Sequence, residues 1–333
     1  MSAFQPDIQE NDIFKRSPEL LSTLLKDQTL STEDHQVNIF WATNNYTNLG
    51  VGYQYADPIT IESITGKNGN VIKPRAIKSR EMQQQRSRER AEVFTPSWIC
   101  NKQNNLIDNA WFGRKNVFNT EVDPPDGPHS WIPTKGTITF PKNKTWYGYI
   151  QENRLEITCG EAPFLVSRYD TVTGEPIPTE FRIGLLDRKL RIVGENTQTP
   201  EEWLKAAQTA YTSIYGYEWQ GDNLILAREA LLYTFIDYYK AKFSQEPPLG
   251  PLHHIADIIS WNIWQMDGRK GVIPDSCRNI RKTIQGLFDT SETVQECEGC
   301  RRNNIHRHNG IYCKIKDWSN DKVVTFISLF EKK

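Results

Sequence analysis

Residues able to do chemistry gather in two places. Near the carboxyl end, Cys297 and Cys300 form a Cys-x2-Cys pair, and His306, His308 and Cys313 follow within the stretch CEGCRRNNIHRHNGIYC. Thiolates and imidazoles at short spacing in a polar segment suit a closed tetrahedral Zn(II) site, which asks for four nitrogen or sulfur donors. The set expected is Cys297, Cys300, His308 and Cys313, with His306 as the substitute ligand; the bland alternative is three unligated cysteines beside a basic loop. A closed site would hold the loop before Asp317 in place and turn Arg301, Arg302 and Arg307 toward phosphates. The second place is mid-chain, where Leu155-Glu156-Ile157-Thr158-Cys159 reads as a short buried strand running into a tight turn at Gly160. A turn of this kind at the carboxyl edge of a sheet lets a nucleotide-like ligand approach the backbone. Glu156, at the strand's end, is placed to hold a ligand ammonium group, and the turn amides to face its carboxylate. The same pattern also serves as plain α/β scaffolding.

Phe94-Thr95-Pro96, upstream, changes that balance. Together with Leu155, Glu156, Cys159, Gly160, Phe164 and Leu165, it resembles the adenine-N6 DNA methyltransferases of restriction–modification systems, and in particular the proteins called restriction endonuclease subunit M. The likeness runs through most of the chain. It implies an α/β fold with a Rossmann-like sheet, S-adenosylmethionine as cofactor, and double-stranded DNA as partner. Phe94, Thr95, Pro96, Glu156, Cys159 and Gly160 would then surround the cofactor. Asn262-Ile263-Trp264-Gln265-Met266-Asp267-Gly268 looks like the family's second strand, with Asp267 on the ribose hydroxyls and Asp187 as the alternative acid. Cys313-Lys314-Ile315-Lys316-Asp317-Trp318 looks like its third element, where Asp317 would receive the adenine amino group.

Three departures stand out. Ile157 lies where the family often has proline, and Ala162 replaces a second glycine. The span from Glu156 to Asp267 far exceeds the roughly 20 residues of a compact dinucleotide fold, so a helical insertion is expected within it. The catalytic tetrad, an Asn, Asp or Ser followed by two prolines and an aromatic, is missing; Asp123-Pro124-Pro125-Asp126 ends in an acid and precedes the glycine turn. In the family this tetrad accepts the N–H bonds of the adenine amine, so that its nitrogen can attack the sulfonium methyl in line. The expectation is therefore a cofactor-binding half completed by a second subunit that carries the catalytic motif or a nuclease. The other reading is a non-catalytic DNA-binding or assembly subunit with a degenerate methyltransferase fold. His306-Arg307-His308-Asn309 superficially resembles the histidine-asparagine-histidine nucleases but lacks a second Cys-x2-Cys and a strand–helix finger.

The elements that must position these residues can be read from caps and periodicity. Ser17 and Pro18 open a helix, as do Thr199 and Pro200, whose helix would bury Trp203, Ala206, Ala207, Ala210, Tyr211 and Ile214. Leu224 to Phe243 reads as a long buried helix, and Ile255 to Met266 as a helix end followed by a strand. Val37 to Thr43 is β-branched and aromatic, which predicts a strand, and turn signals around ITIESIT predict a hairpin. Residues 1–90 thus form a small α+β N-terminal region, and 91–333 a methyltransferase-like domain, with its helical insertion at about 195–250 and the Cys/His loop at 297–313.

One stretch in an otherwise near-neutral chain is basic: Arg75, Lys78, Arg80, Arg86, Arg88 and Arg90 make up most of the charge between Lys73 and Arg90. It is the candidate DNA contact, set against the bland reading of a solvated helix face. With a net charge of -1, whole-chain charge carries no nucleic-acid signal, so any such surface is local. The 38% hydrophobic content suits a folded domain. No run approaches the roughly 20 apolar residues of a membrane helix, and the amino terminus lacks a signal-peptide core, so a cytoplasmic location without membrane partners is expected. The other cysteines, Cys100, Cys159 and Cys277, are expected as small half-buried core residues.

Overall fold

Helix starts follow local capping chemistry. In the computed structural model, which describes residues 10–78, 83, 95–285 and 290–330, α1 (Glu10–Arg16) meets α2 (Pro18–Leu25) at Ser17. The Ser17 hydroxyl accepts the Leu20 amide at 3.4 Å, and Pro18 presets the first turn. Two strand expectations fail in this region. Val37 to Thr43 contributes only the isolated bridges Lys26↔Asn38 and Phe40↔Pro58. Within ITIESIT lies a short helix, α3 (Ile61–Ile64), because Thr60 and Ser63 cap each other reciprocally and satisfy the turn's own amides.

The chain continues through α4 (Ser97–Phe112), the antiparallel pair β1 (Asn119–Val122) and β2 (Ser130–Pro133), and α5 (Trp146–Gln151) into β3 (Arg154–Glu156). Next come α6 (Leu185–Asn196), α7 (Pro200–Tyr211), β4 (Ile214–Glu218), α8 (Gly221–Phe243), α9 (Leu249–Asn262) and β5 (Ile263–Gln265). Strands β3, β4 and β5 form a three-stranded parallel sheet in that order, with Leu155 opposite Tyr215 and Tyr217 opposite Trp264. The fold is mixed α/β: one parallel sheet, with the remaining described strands in small antiparallel pairs.

The region around 195–250, expected as a helical insertion, carries β4 between α7 and α8, so its helices connect neighbouring parallel strands. Parallel pairing needs such a crossover. Ile214, expected on the face of α7, opens β4 instead, since α7 ends at Tyr211. No regular helix directly follows the Gly160 turn; α6 begins only at Leu185.

Side chains alternate across the sheet. Ile214 and Ile263 point into the main core, which also takes in Leu20, Leu24, Leu190, Trp203 and Phe235. The N-terminal helices thus share a core with the rest of the chain. Tyr217 and Trp264 face the other way, against Met266, Ile273, Cys313, Ile315 and Phe326. That second layer is built from the segment after β5 and from the antiparallel pair β8 (Lys314–Asp317) and β9 (Lys322–Thr325) with the residues flanking it. Before it lie a two-stranded ribbon, β6 (Ile280–Gln285) with β7 (Thr290–Gln295), and the short α10 (Glu298–Arg302).

Candidate functional site

At the carboxyl edge of the parallel sheet, β3 runs into a tight turn in which Thr158, Gly160 and Ala162 all adopt left-handed backbone, with φ of 49°, 54° and 60°. Two non-glycine residues there mark stored local strain. The turn is held from the adjacent strand: the Gly160 amide donates to Glu218 Oε2 at 3.0 Å, and the Gln220 amide to Glu218 Oε1 at 3.2 Å. Glu218, which ends β4, was not singled out from the sequence. Its signal was the acid closing IYGYE, hidden because that strand follows α7 almost without a break.

Glu156 turns inward. Its carboxylate accepts the Phe164 and Leu165 amides at 3.4 and 3.2 Å, bracing the segment after the turn. It is 8% exposed, so a ligand ammonium would have to compete with these internal bonds. Burial drives the Glu156 carboxyl well above its ordinary value, against the two amides. Burial also raises Glu218, outweighing the amides of Gln220, Gly160 and Trp219. The Glu218 charge adds to the rise at Glu156, and Asp222 adds to that at Glu218, so the turn sits between carboxyls biased toward their neutral form. Cys159 serves packing: its thiol is buried, a β-carbon on Gly216 would lie 3.2 Å from its sulfur, and both its backbone groups are bonded, to Tyr217 and Ala162.

Thr95 and Pro96 lie beside the segment that follows this turn. The Ser97 amide, at the start of α4, donates to Asp170 Oδ2 at 2.7 Å, and the Thr95 carbonyl accepts the Thr171 hydroxyl at 3.2 Å. Asn104 donates to the Phe164 and Ile183 carbonyls. Asp170 stays below the ordinary carboxylate range: burial opposes ionisation, but the Ser97, Thr173 and Val172 amides prevail. Phe94 lies outside the described residues.

Asp267 follows β5 at the same edge, but it is committed to its own loop, accepting the Arg269 amide at 3.0 Å and pairing with Lys270 at 3.1 Å. Asp187 is fully buried and takes the Ser167 amide and hydroxyl, so it is part of the scaffold. Asp317 is placed elsewhere. Its carboxylate takes the Ser319 and Asn320 amides at the β8–β9 turn, while the neighbouring Trp318 indole donates to Asn262, at the amino end of β5. It therefore sits toward the opposite end of the sheet from the glycine turn.

Of the basic stretch, the Arg75 amide donates to Glu161 Oε1, and Lys78 is buried with its ammonium 3.9 Å from Asp222. The Lys78 charge is thus turned into the protein. Arg80, Arg86, Arg88 and Arg90 lie outside the described residues.

The thiol–imidazole cluster is the more sharply built site. The sulfurs of Cys277, Cys297 and Cys300 lie 3.5, 3.8 and 3.6 Å from His308 Nδ1. All four donor atoms fall within 4.8 Å of one another. A tetrahedral ion with metal–sulfur bonds of about 2.3 Å and metal–nitrogen bonds of about 2.0–2.1 Å sets its sulfur and nitrogen donors roughly 3.6 Å apart. This group could hold a metal ion.

Its fourth member is Cys277, where Cys313 was expected. Cys313 is buried at the head of β8, its thiol directed at the Gln265 carbonyl at 3.4 Å. His306, the expected substitute ligand, is not among the clustered donors. Cys277 arrives because the Ile311 amide donates to Ser276 Oγ while Arg278 and Asn309 exchange two bonds, drawing the chain before β6 against the His308 loop. Gly299 permits the closest approach, since a β-carbon there would lie 2.5 Å from the His308 amide nitrogen. Desolvation pushes the Cys297 thiol up, yet amides led by Asn309 and the His308 ring outweigh it and bring it down to about 6.

Comparison of the chain with family models, curated proteins and solved structures finds no match in any of the three. The functional reading therefore rests on the geometry of these two sites. No helix among the described residues is long and apolar enough to cross a membrane.

Proposed function

We propose that this chain binds S-adenosylmethionine at the carboxyl edge of its parallel sheet, as the cofactor-binding half of a DNA adenine-N6 methyltransferase of a restriction–modification system. The observation that carries the reading is the left-handed Gly160 turn at the end of β3, tied to Glu218 at the end of the adjacent parallel strand. Thr95 and Pro96 lie against the segment that follows. Ligands of open α/β sheets bind outside the carboxyl ends of the strands. The sheet is read as the first three strands of a Rossmann-like methyltransferase fold.

The residues suit the cofactor electrostatically. A nucleoside carrying both a sulfonium and an ammonium charge favours the ionised form of nearby carboxyls that burial has biased toward neutrality. Glu218 replaces Asp267 as the preferred ribose acid, because it borders the turn directly. When bound, the cofactor would supply the methyl group. The chain's own part is to hold it and keep water from it, and a partner polypeptide would bring the Asn-Pro-Pro-aromatic motif that positions adenine in duplex DNA. For the thiol–imidazole cluster, the reading is a structural Zn(II) ion on Cys277, Cys297, Cys300 and His308, the three-thiolate, one-imidazole set that zinc favours.

Calorimetric titration with S-adenosylmethionine and with its demethylated product tests the reading. Binding should be measurable, tighter for the sulfonium form, and weakened at least tenfold by Glu218→Ala. Absence of affinity for either molecule would defeat it. The missing tetrad favours a second reading, a DNA-binding or assembly subunit without catalysis; methyl transfer to DNA by the purified chain alone would remove it.

A further inference from the structure

The Cys277 and Cys297 ligands stand on either side of one element. Cys277 precedes β6 and Cys297 follows β7, so an ion at the cluster closes the base of this antiparallel ribbon. Cys300, on α10, and His308, in the loop beyond, complete the closure from the far side. Among the described elements, the main packing partner of β6 is β7, and the base of the ribbon is tied to the His308 loop by the bonds of Ser276 and Arg278 as well as by the cluster.

The surface around the clamp carries exposed arginines. Arg301 and Arg302 lie on α10, Arg307 beside His308, and Arg278 against Asn309. Arg302 and Arg307 converge on the single carboxylate of Glu298, at 3.3 and 2.6 Å, which leaves the trio one positive charge in excess. Both arginine side chains stay more than half exposed, at 59% and 53%. Arginine's planar fork suits phosphate oxygens, and a two-stranded ribbon has the width to enter a DNA major groove.

We infer that the ion-closed knuckle is a duplex-DNA contact of this chain, with Arg302 and Arg307 on backbone phosphates and the clamped ribbon held against the groove. The inference rests on the DNA partner proposed above and names the surface that meets it. Glu298 acts as a placeholder that a phosphate displaces, so it holds the two arginines pre-positioned in the free protein. The ion's role is mechanical: it fixes His308, and with it Arg307, relative to α10.

Fluorescence anisotropy of a short duplex against the full-length, zinc-loaded protein tests this across about 50 to 200 mM salt, where phosphate neutralisation shows as a slope in log affinity. Arg302→Ala with Arg307→Ala should weaken binding and reduce that slope by about two, close to one for each phosphate no longer neutralised. Glu298→Gln should strengthen binding, a gain that misfolding cannot produce. Chelating the ion should weaken binding of the parent protein. An unchanged slope in the double variant, at unchanged zinc content, would overturn the inference, as would tighter binding of single-stranded RNA than of the duplex. S-adenosylmethionine titrations on the same samples separate the two claims. Cofactor binding without a duplex contact sinks this one alone, and an arginine-dependent duplex contact without cofactor binding sinks the other.

Discussion

Replacing Cys277 with serine asks whether this residue or Cys313 completes the metal site. The serine hydroxyl stays protonated at neutral pH, so the substitution removes one of three thiolates while keeping nearly the same shape. Changes to groups that merely support a ligand cost about 10–100-fold in metal affinity, and a direct ligand should cost at least the upper figure. With zinc above both dissociation constants, a 100-fold loss of affinity removes about 2.7 kcal/mol of stabilisation. Cys313→Ser leaves all four clustered donors in place, since its sulfur faces the Gln265 carbonyl. Two measurements decide the matter: bound zinc per chain after dialysis against a weak chelator, and the thermal midpoint with and without added zinc. The parent protein and Cys313→Ser should each retain one zinc, and Cys277→Ser should lose it along with the zinc-dependent part of its midpoint. If Cys313→Ser loses the ion and Cys277→Ser keeps it, the ligand assignment is wrong.

Two further expectations concern the scaffold. Burial raises the carboxyls of Glu156, Glu218, Asp187 and Asp27. The folded chain therefore holds protons that the unfolded chain has released above its ordinary carboxylate values of 4.5 and 3.8. Their stabilising share is complete below those values and is lost as pH climbs through the raised ones, so urea midpoints should begin to fall as pH rises above about 4.5; a rise just above that value contradicts the assignment. Arg228 is fully buried and donates to the carbonyls of Ile263, Leu24, Lys26 and Ser260 at 2.6–3.1 Å. Arg228→Met strands these acceptors and should cost about 3–5 kcal/mol in urea denaturation, whereas a loss below about 1 kcal/mol would show that water replaces the guanidinium.

Capping chemistry made much of the helical framework legible. Ser17 with Pro18, and Thr199 with Pro200 and Glu202, mark helix starts through interactions confined to a few neighbouring residues. The glycine turn and the Ile263 strand were readable for the same local reason, but the strand expected to be buried over Leu155 to Cys159 ends at Glu156 and leaves Leu155 and Ile157 exposed. What escaped depends on distant partners. β4 was absorbed into the preceding helix because Ile214 continues the apolar spacing of α7, and with it Glu218 went unnoticed. Cys277 has no thiol near it in sequence; the β6–β7 pairing and the bonds of Ser276 and Arg278 to the His308 loop bring it back to Cys297. Cys313 has the better spacing, but it heads a strand whose packing against the sheet buries its sulfur.

The four carbonyls that meet Arg228 come from two distant parts of the chain: two from α2 and its C-cap, two from the junction of α9 with β5. One side chain thus terminates two helices at once. Trimming α1 and α2 away would not liberate a smaller folded body, because it would remove two of the four acceptors of this buried guanidinium and open the core that α2 shares with the sheet. The amino-terminal helices are in this sense foundations of the sheet, and an engineered minimal version would have to keep them.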